Sequence, residues 1–291
     1  MSFLKAVAQR SLVEHLKDNP CRGLVVGLGP DGSQRQISWI MGRSSSSQNR
    51  TYLVHNEIME AKVADLSQIT DSWLIPLIEY TAMRSYNGVH MVTNGNQTDT
   101  AIDSVIACKL GTGVSLAVRN GLKTRYCEPD PPIFTSRING YQNSKTAGIA
   151  TLSILCAEPS AKAHWISTAD AAAKEGVKKE NYPGNINAYF DEIDKRAQLD
   201  RNRFPTFDEE FCFALSPGEG LMLTTYMPGS KTLPPFIGGP ILAPLTGSLE
   251  ESMQYFWDTL EPEWRVGVGG REITKSTIRY AAPINKHVQK K

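Results

Sequence analysis

The 291-residue chain is 41% hydrophobic and 21% charged, the composition of an ordinary globular protein that can bury a sizeable core, and its length fits one large mixed-sheet domain. Its 31 Lys and Arg offset 30 Asp and Glu to a net charge of +1, which leaves no excess charge to hold it on nucleic acid or an acidic membrane. Any anion it binds must therefore be held locally.

Residues 1–20 show helical apolar spacing through Phe3, Leu4, Val7, Leu12 and Leu16, stopped at Asn19-Pro20, and read as a helical extension. Their charges leave no apolar core for a signal peptide, and no run of about 18 apolar residues follows, so cytoplasmic residence without a membrane is expected. Arg22 to Leu28 is an apolar run ending in the turn Gly29-Pro30-Asp31-Gly32, and Gln36 to Gly42 follows as its partner in a β-hairpin. Val89 to Thr93 predicts a strand and Thr100 to Asn120 a helix. Ile149 to Ala157 reads as a buried strand. The stretch 169–208 is rich in charge and reads as a surface insertion, either helical or a mobile excursion. Phe211 to Leu215 and Leu221 to Met227 predict a second hairpin across Pro217 to Gly220, and Leu249 to Leu260 a helix. Lys286 to Lys291 forms a basic tail. The pattern is α/β (α+β) with mostly antiparallel sheets, laid out as an extension over 1–20, one domain over 21–285 and the tail 286–291.

Three segments carry groups suited to chemistry. In Gly42-Arg43-Ser44-Ser45-Ser46-Ser47-Gln48-Asn49-Arg50 a strand end opens into hydroxyls bracketed by guanidiniums, which suits a phosphate cradle; a solvated serine-rich loop fits equally well. Thr93-Asn94-Gly95-Asn96-Gln97-Thr98-Asp99 presents amides that donate and accept together, as the edge of a heterocycle requires, or else forms a turn and a helix cap. Glu128 and Asp130 stand two positions apart in Tyr126-Cys127-Glu128-Pro129-Asp130-Pro131-Pro132, a stiff setting in which one carboxylate is aimed or both are merely solvated.

Other chemistries lack their signatures. No GxGxxG lies in a strand-turn-helix context, and GxxxxGK[ST], HExxH and GxSxG are missing. His15, His55, His90, His164 and His287 are scattered, and the five cysteines are widely spaced without a CxxC pair, so neither a metal site nor a disulfide framework is expected.

The ordered set RGLVVGLGPDG, MGRSSSSQNR, VTNGNQTDT and EPDPP with TSRI resembles the archaeal-type IMP cyclohydrolase family and its bacterial relatives, over roughly Arg22 to Tyr280. GEGLMLTTYMPG at Gly218 to Gly229 and LPPF at Leu233 to Phe236 fit as well. The resemblance implies a four-layer αββα sandwich similar to the N-terminal nucleophile hydrolase architecture. It implies a cofactor-free and metal-free enzyme that closes FAICAR (5-formamidoimidazole-4-carboxamide ribonucleotide) to IMP and water, with a homo-oligomer as the expected assembly. Carried over by matching segments, Arg50, Tyr80 and Glu128 form the catalytic set: Arg50 steadies negative charge, Tyr80 donates to the formyl oxygen, and Glu128 acts as base or acid. Arg43, Ser44, Asn94, Gln97, Thr98, Asp99 and Arg137 are assigned to the nucleotide. Two alternatives remain: an amidohydrolase using Cys21 as nucleophile once residues 1–20 are removed, and a purine-nucleotide-binding protein that has lost turnover.

Overall fold

The computed structural model describes residues 22–69, 75–108, 113–128, 130–131, 134–146, 148–183, 185–200, 206–225 and 240–287. The helix expected over 1–20, Cys21, Met227 to Gly229, Leu233 to Phe236 and residues 288–291 of the tail lie outside them. The chain is mixed α/β, with two sheets in which every strand pair of known register is antiparallel. It divides into two compact units, one of residues 1–124, 138–153 and 210–291, the other of 125–137 and 154–209.

In the first unit, β1 (Gly23–Leu28) and β2 (Gln34–Met41) form the expected hairpin, with Gly23 opposite Trp39 and Leu28 opposite Gln34. The turn closes because Gly32 adopts φ +79°, the Asp31 carboxylate accepts from the Ser33 hydroxyl at 2.6 Å, and the Gly29 amide donates to the Ser33 carbonyl at 2.8 Å. The first sheet continues with β10 (Glu219–Thr224), β11 (Ile241–Pro244), β12 (Arg265–Ile273), β13 (Ile278–Tyr280) and β14 (Ile284–Asn285), in the order β11-β10-β1-β2-β12-β13 with β14 also on β12. The second sheet is a meander in sequence order: β3 (Arg50–His55), β4 (Ile58–Val63), β5 (Tyr80–Tyr86), β6 (Val89–Thr93), β7 (Arg137–Asn143), β8 (Ile149–Ala157) and β9 (Thr206–Ala214).

Every residue of β2 is buried, and its alternation shows why. Ile37, Trp39 and Met41 point into an apolar cluster with Leu249, Met253 and Phe256 of a helix over Leu249–Thr259, and Trp39 stacks on Phe256 at 5.5 Å. The opposite face is polar: Gln36 donates to the His90 carbonyl at 2.8 Å, and the Ser38 hydroxyl lies 2.9 Å from that of Tyr52. The sheets approach closely there, since a Cβ on Gly269 would stand 2.2 Å from the Met59 sulfur.

The helices are α1 (Ser45–Gln48), α2 (Ile75–Ile78), α3 (Gln97–Ile106), α4 (Val114–Leu122), α5 (Pro159–Lys174), α6 (Ile186–Ala197) and α7 (Leu249–Thr259). Where one helix was expected over Thr100 to Asn120, the chain forms α3 and α4, which pack on each other, with α3 also against β5 and β6. The expected hairpin between Phe211 to Leu215 and Leu221 to Met227 is not formed. β9 belongs to the second sheet and β10 pairs with β1 and β11 in the first, so Pro217 to Gly220 carries the chain between sheets.

The second unit has a core of its own. α5 starts at Pro159 with Glu158 as its cap, accepting from the Ala161 amide at 2.9 Å, and α6 buries Tyr189, Phe190, Ile193 and Ala197 against Trp165. Of the charged stretch expected as an insertion, the described residues to Lys174 and from Ile186 to Ala197 are helical; Asp191, Lys195 and Arg196 lie on the exposed side, while Asp194 turns inward to accept from the Trp165 indole N–H.

Candidate active site

Arg50, Tyr52 and Tyr80 share one face of the second sheet. Tyr52 is two residues beyond Arg50, and both Tyr52 and Tyr80 pair with Ala61, so the two tyrosines flank it in one cross-strand row. All three are buried. The Arg50 guanidinium donates to the Ser47 carbonyl at 2.7 Å and the Met41 carbonyl at 3.2 Å, which fixes its position between β2 and β3. Burial, then the neighbouring Tyr80, pushes the Tyr52 hydroxyl well above its ordinary range, so it remains a donor. The Tyr80 hydroxyl is buried beside that of Tyr52 and reaches hydrogen-bond geometry with no partner among the described residues. An unpaired buried hydroxyl costs about 1–3 kcal/mol, a cost that a ligand carbonyl or carboxamide at that point would relieve.

Just before Arg50, the serine run forms α1 rather than an open loop. Ser44 caps it, accepting from the Ser47 amide at 3.2 Å while the Ser47 hydroxyl accepts from the Ser44 amide at 3.0 Å. Arg43 is exposed and makes no hydrogen bond or ion pair among the described residues.

The amide-rich segment after β6 is an internal brace. Asn94 is buried, and its Oδ1 accepts from Gln97 Nε2 and from the Ile138 amide, each at 2.9 Å, tying the start of α3 to the start of β7. The Thr93 and Thr98 hydroxyls meet at 2.6 Å. Asp99 stands apart from this brace: it lies in the first turn of α3, where negative charge is favoured, and pairs with Arg84 at 2.8 Å.

Glu128 and Arg137 belong to the second unit. Both are buried; Arg137 Nη1 lies 3.8 Å from Glu128 Oε1, and Arg137 Nε donates to the Tyr126 carbonyl at 2.7 Å. Asp130 is occupied differently. Its carboxylate accepts from the Thr135 amide at 2.7 Å and the Thr135 hydroxyl at 2.5 Å, closing the turn that lets the Glu128 amide donate to the Thr135 carbonyl at 2.9 Å. Beside them the Cys127 thiol is pushed up to about 12, chiefly by burial and then by Asp130, and stays protonated at neutral pH.

Of the ten residues singled out from sequence, Arg50 and Tyr80 come together on one sheet face, Asn94, Gln97 and Thr98 in one brace, and Glu128 and Arg137 as one pair. Sequence reasoning passed over Tyr52 and Ser38, although strand alternation from Arg50 places Tyr52 on the same face. Among the described residues no three His, Cys, Asp or Glu side chains gather in a metal-binding group. A family model described as IMP cyclohydrolase-like protein matches residues 20–275. No curated protein matches the chain.

Proposed function

The chain belongs to the IMP cyclohydrolase-like family, and from that premise we propose that it closes FAICAR to IMP with release of water. The family implies a cyclohydrolase-type enzyme acting on a purine nucleotide. The observation that supports this reading most is the Tyr80 hydroxyl, buried without a partner on the sheet face it shares with Arg50.

The carboxamide nitrogen attacks the formyl carbon and gives up one proton, the formamido nitrogen gives up a second as its C=N bond forms, and the former formyl oxygen departs with both as water. Tyr80 donates to that oxygen as it gains charge, and Arg50 stabilises the charge. Glu128 carries the proton, as the base toward the nitrogen or the acid toward the leaving oxygen. Arg43, Ser44, Asn94, Gln97, Thr98, Asp99 and Arg137 bind the nucleotide; in this scheme Asn94, Gln97 and Thr98 act by fixing the loop they brace. Both reacting groups already sit on one molecule, so orientation supplies much of the acceleration and neither metal nor cofactor is required. We read residues 21–285 as one domain of αββα type, with α7 against the first sheet and α3 and α4 against the second, in a cytoplasmic homo-oligomer.

Incubation with FAICAR tests the reading: IMP absorbance should grow in with purified protein, equally fast with and without EDTA. Unchanged FAICAR would overturn the reaction. Loss in EDTA restored by a divalent ion would overturn the metal-free mechanism.

A further inference from the structure

At the turn between β12 and β13, within the first unit, lies a cavity of about 410 Å³ lined by Glu57, His90, Ser144, Thr274, Lys275 and Thr277 among others. It is remote from Arg50. That guanidinium holds Met41, which pairs with Arg265 at the start of β12, whereas the cavity takes Ile273 at its end, roughly 25 Å of extended strand away.

Behind the cavity Arg271 is fully buried, and its partners are all neutral: Gln36 Oε1, the Arg84 and Met91 carbonyls, Ser85 Oγ and the Tyr280 hydroxyl. Among the described residues no carboxylate forms an ion pair with it, which is unusual for a charge removed from water. From Arg271 a chain of hydrogen bonds runs outward. Nη1 donates to Ser85 Oγ at 2.8 Å, Ser85 Oγ lies 2.8 Å from His90 Nδ1, and His90 Nε2 lies 2.8 Å from Ser144 Oγ.

The guanidinium sets the direction of the protons. Ser85 Oγ accepts from Arg271, so its own proton goes to His90 Nδ1. A neutral imidazole then carries its proton on Nε2 and donates it to Ser144, leaving the Ser144 hydroxyl proton to point onward. His90 is neutral because burial, then Arg271, lowers it to about 3. At the mouth, the Thr274 hydroxyl accepts from the Ser276 and Thr277 amides and folds the turn around Lys275, whose ammonium makes no ion pair among the described residues. The lining carries Lys275 and Glu57 as its charged side chains, and the fully buried Arg271 adds a positive charge behind His90.

We propose that this cavity is a second anion site, binding a phosphate group, free or as a monoester, through the Lys275 ammonium and the outward-pointing Ser144 hydroxyl. The site stands independently of the FAICAR reaction.

Titration calorimetry of the full chain with inorganic phosphate tests it, alongside 15N spectra of the His90 ring. Saturable binding is expected, weakened roughly tenfold or more in Lys275→Ala and in Ser144→Ala and retained in Arg43→Ala and Arg137→Ala. Lys275 is exposed at a turn, so its variant keeps the fold. The His90 ring should carry its proton on Nε2, and phosphate should shift that resonance in the parent and not in Ser144→Ala. Three results would overturn the proposal: no saturation by roughly 10 mM phosphate, binding abolished by Arg43→Ala or Arg137→Ala and untouched by Lys275→Ala, or an Nδ1-protonated His90. FAICAR turnover in Lys275→Ala should equal the parent's, and failure of that reaction in every variant would leave the phosphate result standing.

Discussion

Glu128 and Asp130 are two residues apart and do different work. Asp130 places both carboxylate oxygens on Thr135, whereas the Glu128 side chain is buried facing Arg137. Glu128→Gln keeps size and polarity, so kcat should fall about 10²- to 10⁴-fold with nucleotide binding nearly intact. Asp130→Asn should leave kcat close to the parent and instead lower the urea midpoint, because a charged acceptor of two hydrogen bonds contributes about 1.5–3 kcal/mol. A dead Asp130→Asn enzyme would move the catalytic carboxylate to Asp130. The arginines separate in the same way. Arg43 has no internal partner among the described residues, so Arg43→Ala should raise KM with stability unchanged, while Arg137→Ala should raise KM and also destabilise, since Arg137 holds Tyr126 and Glu128. His90 gives a pH signature. Its folded value, about 3, lies below the ordinary value of 6.5, so the unfolded chain takes up the proton first, and stability is full above about 6.5 and lost as pH falls toward 3. The slope within that window approaches about 1.4 kcal/mol per pH unit. Urea unfolding at stepped pH should show it in the parent and not in His90→Gln; equal slopes would mean that His90 titrates normally.

At the level of elements, two glycines show how differently one residue type constrains strands. Gly32 has open space for a Cβ and a φ of +79°, so Gly32→Ala is strained only through the backbone and should cost about 1–2 kcal/mol. Gly269 has ordinary backbone, yet its Cβ would lie 2.2 Å from the Met59 sulfur where the sheets meet, so Gly269→Ala should cost at least as much, by overpacking of about 1–3 kcal/mol or more. Urea unfolding ranks the pair, and a neutral Gly269→Ala would mean that the sheets part easily. The contrast also explains what could be read in advance. The β1–β2 hairpin was legible because its turn and both strands lie within Arg22 to Gly42. β9 and β10 were recognisable as strands, but which sheet each joins is decided by β8 and β1, and β1 is nearly two hundred residues from its partner β10. Tyr80 and Arg50 stood out through their motifs. Tyr52 and Arg271 did not, since an ordinary strand tyrosine or arginine acquires its character only from what the second sheet or the neighbouring strands bring against it.

Over the whole molecule, the family match runs across both compact units, while each unit has its own apolar cluster. The chain enters the second unit at Arg125 and leaves it after Arg137, then re-enters within β8 and returns within β9, so the stretch matched by one family model contains two groups of residues that can lose structure at different free energies. Charge alone left 169–208 open between a helical insertion and a mobile excursion, because the residues that pack its helices lie outside or between the charges: Trp165 before them, Tyr189, Phe190 and Ile193 among them. Trp165 is central. It meets Phe134 edge-on at 5.5 Å, lies 6.3 Å from Phe190, and donates its indole N–H to Asp194 at 2.7 Å. Trp165→Ala removes a large buried ring together with a charge-assisted hydrogen bond, and should cost about 3–5 kcal/mol. That loss should fall on one unit: amide exchange should accelerate across α5 and α6 while β1, β2 and β12 keep their protection. Phe256→Ala, which opens the Trp39 cluster, is the reciprocal variant and should speed exchange first in β2, β12 and α7. If either variant instead raises exchange equally through every element, residues 21–285 unfold as one cooperative body, and the two units are features of packing without separate stability.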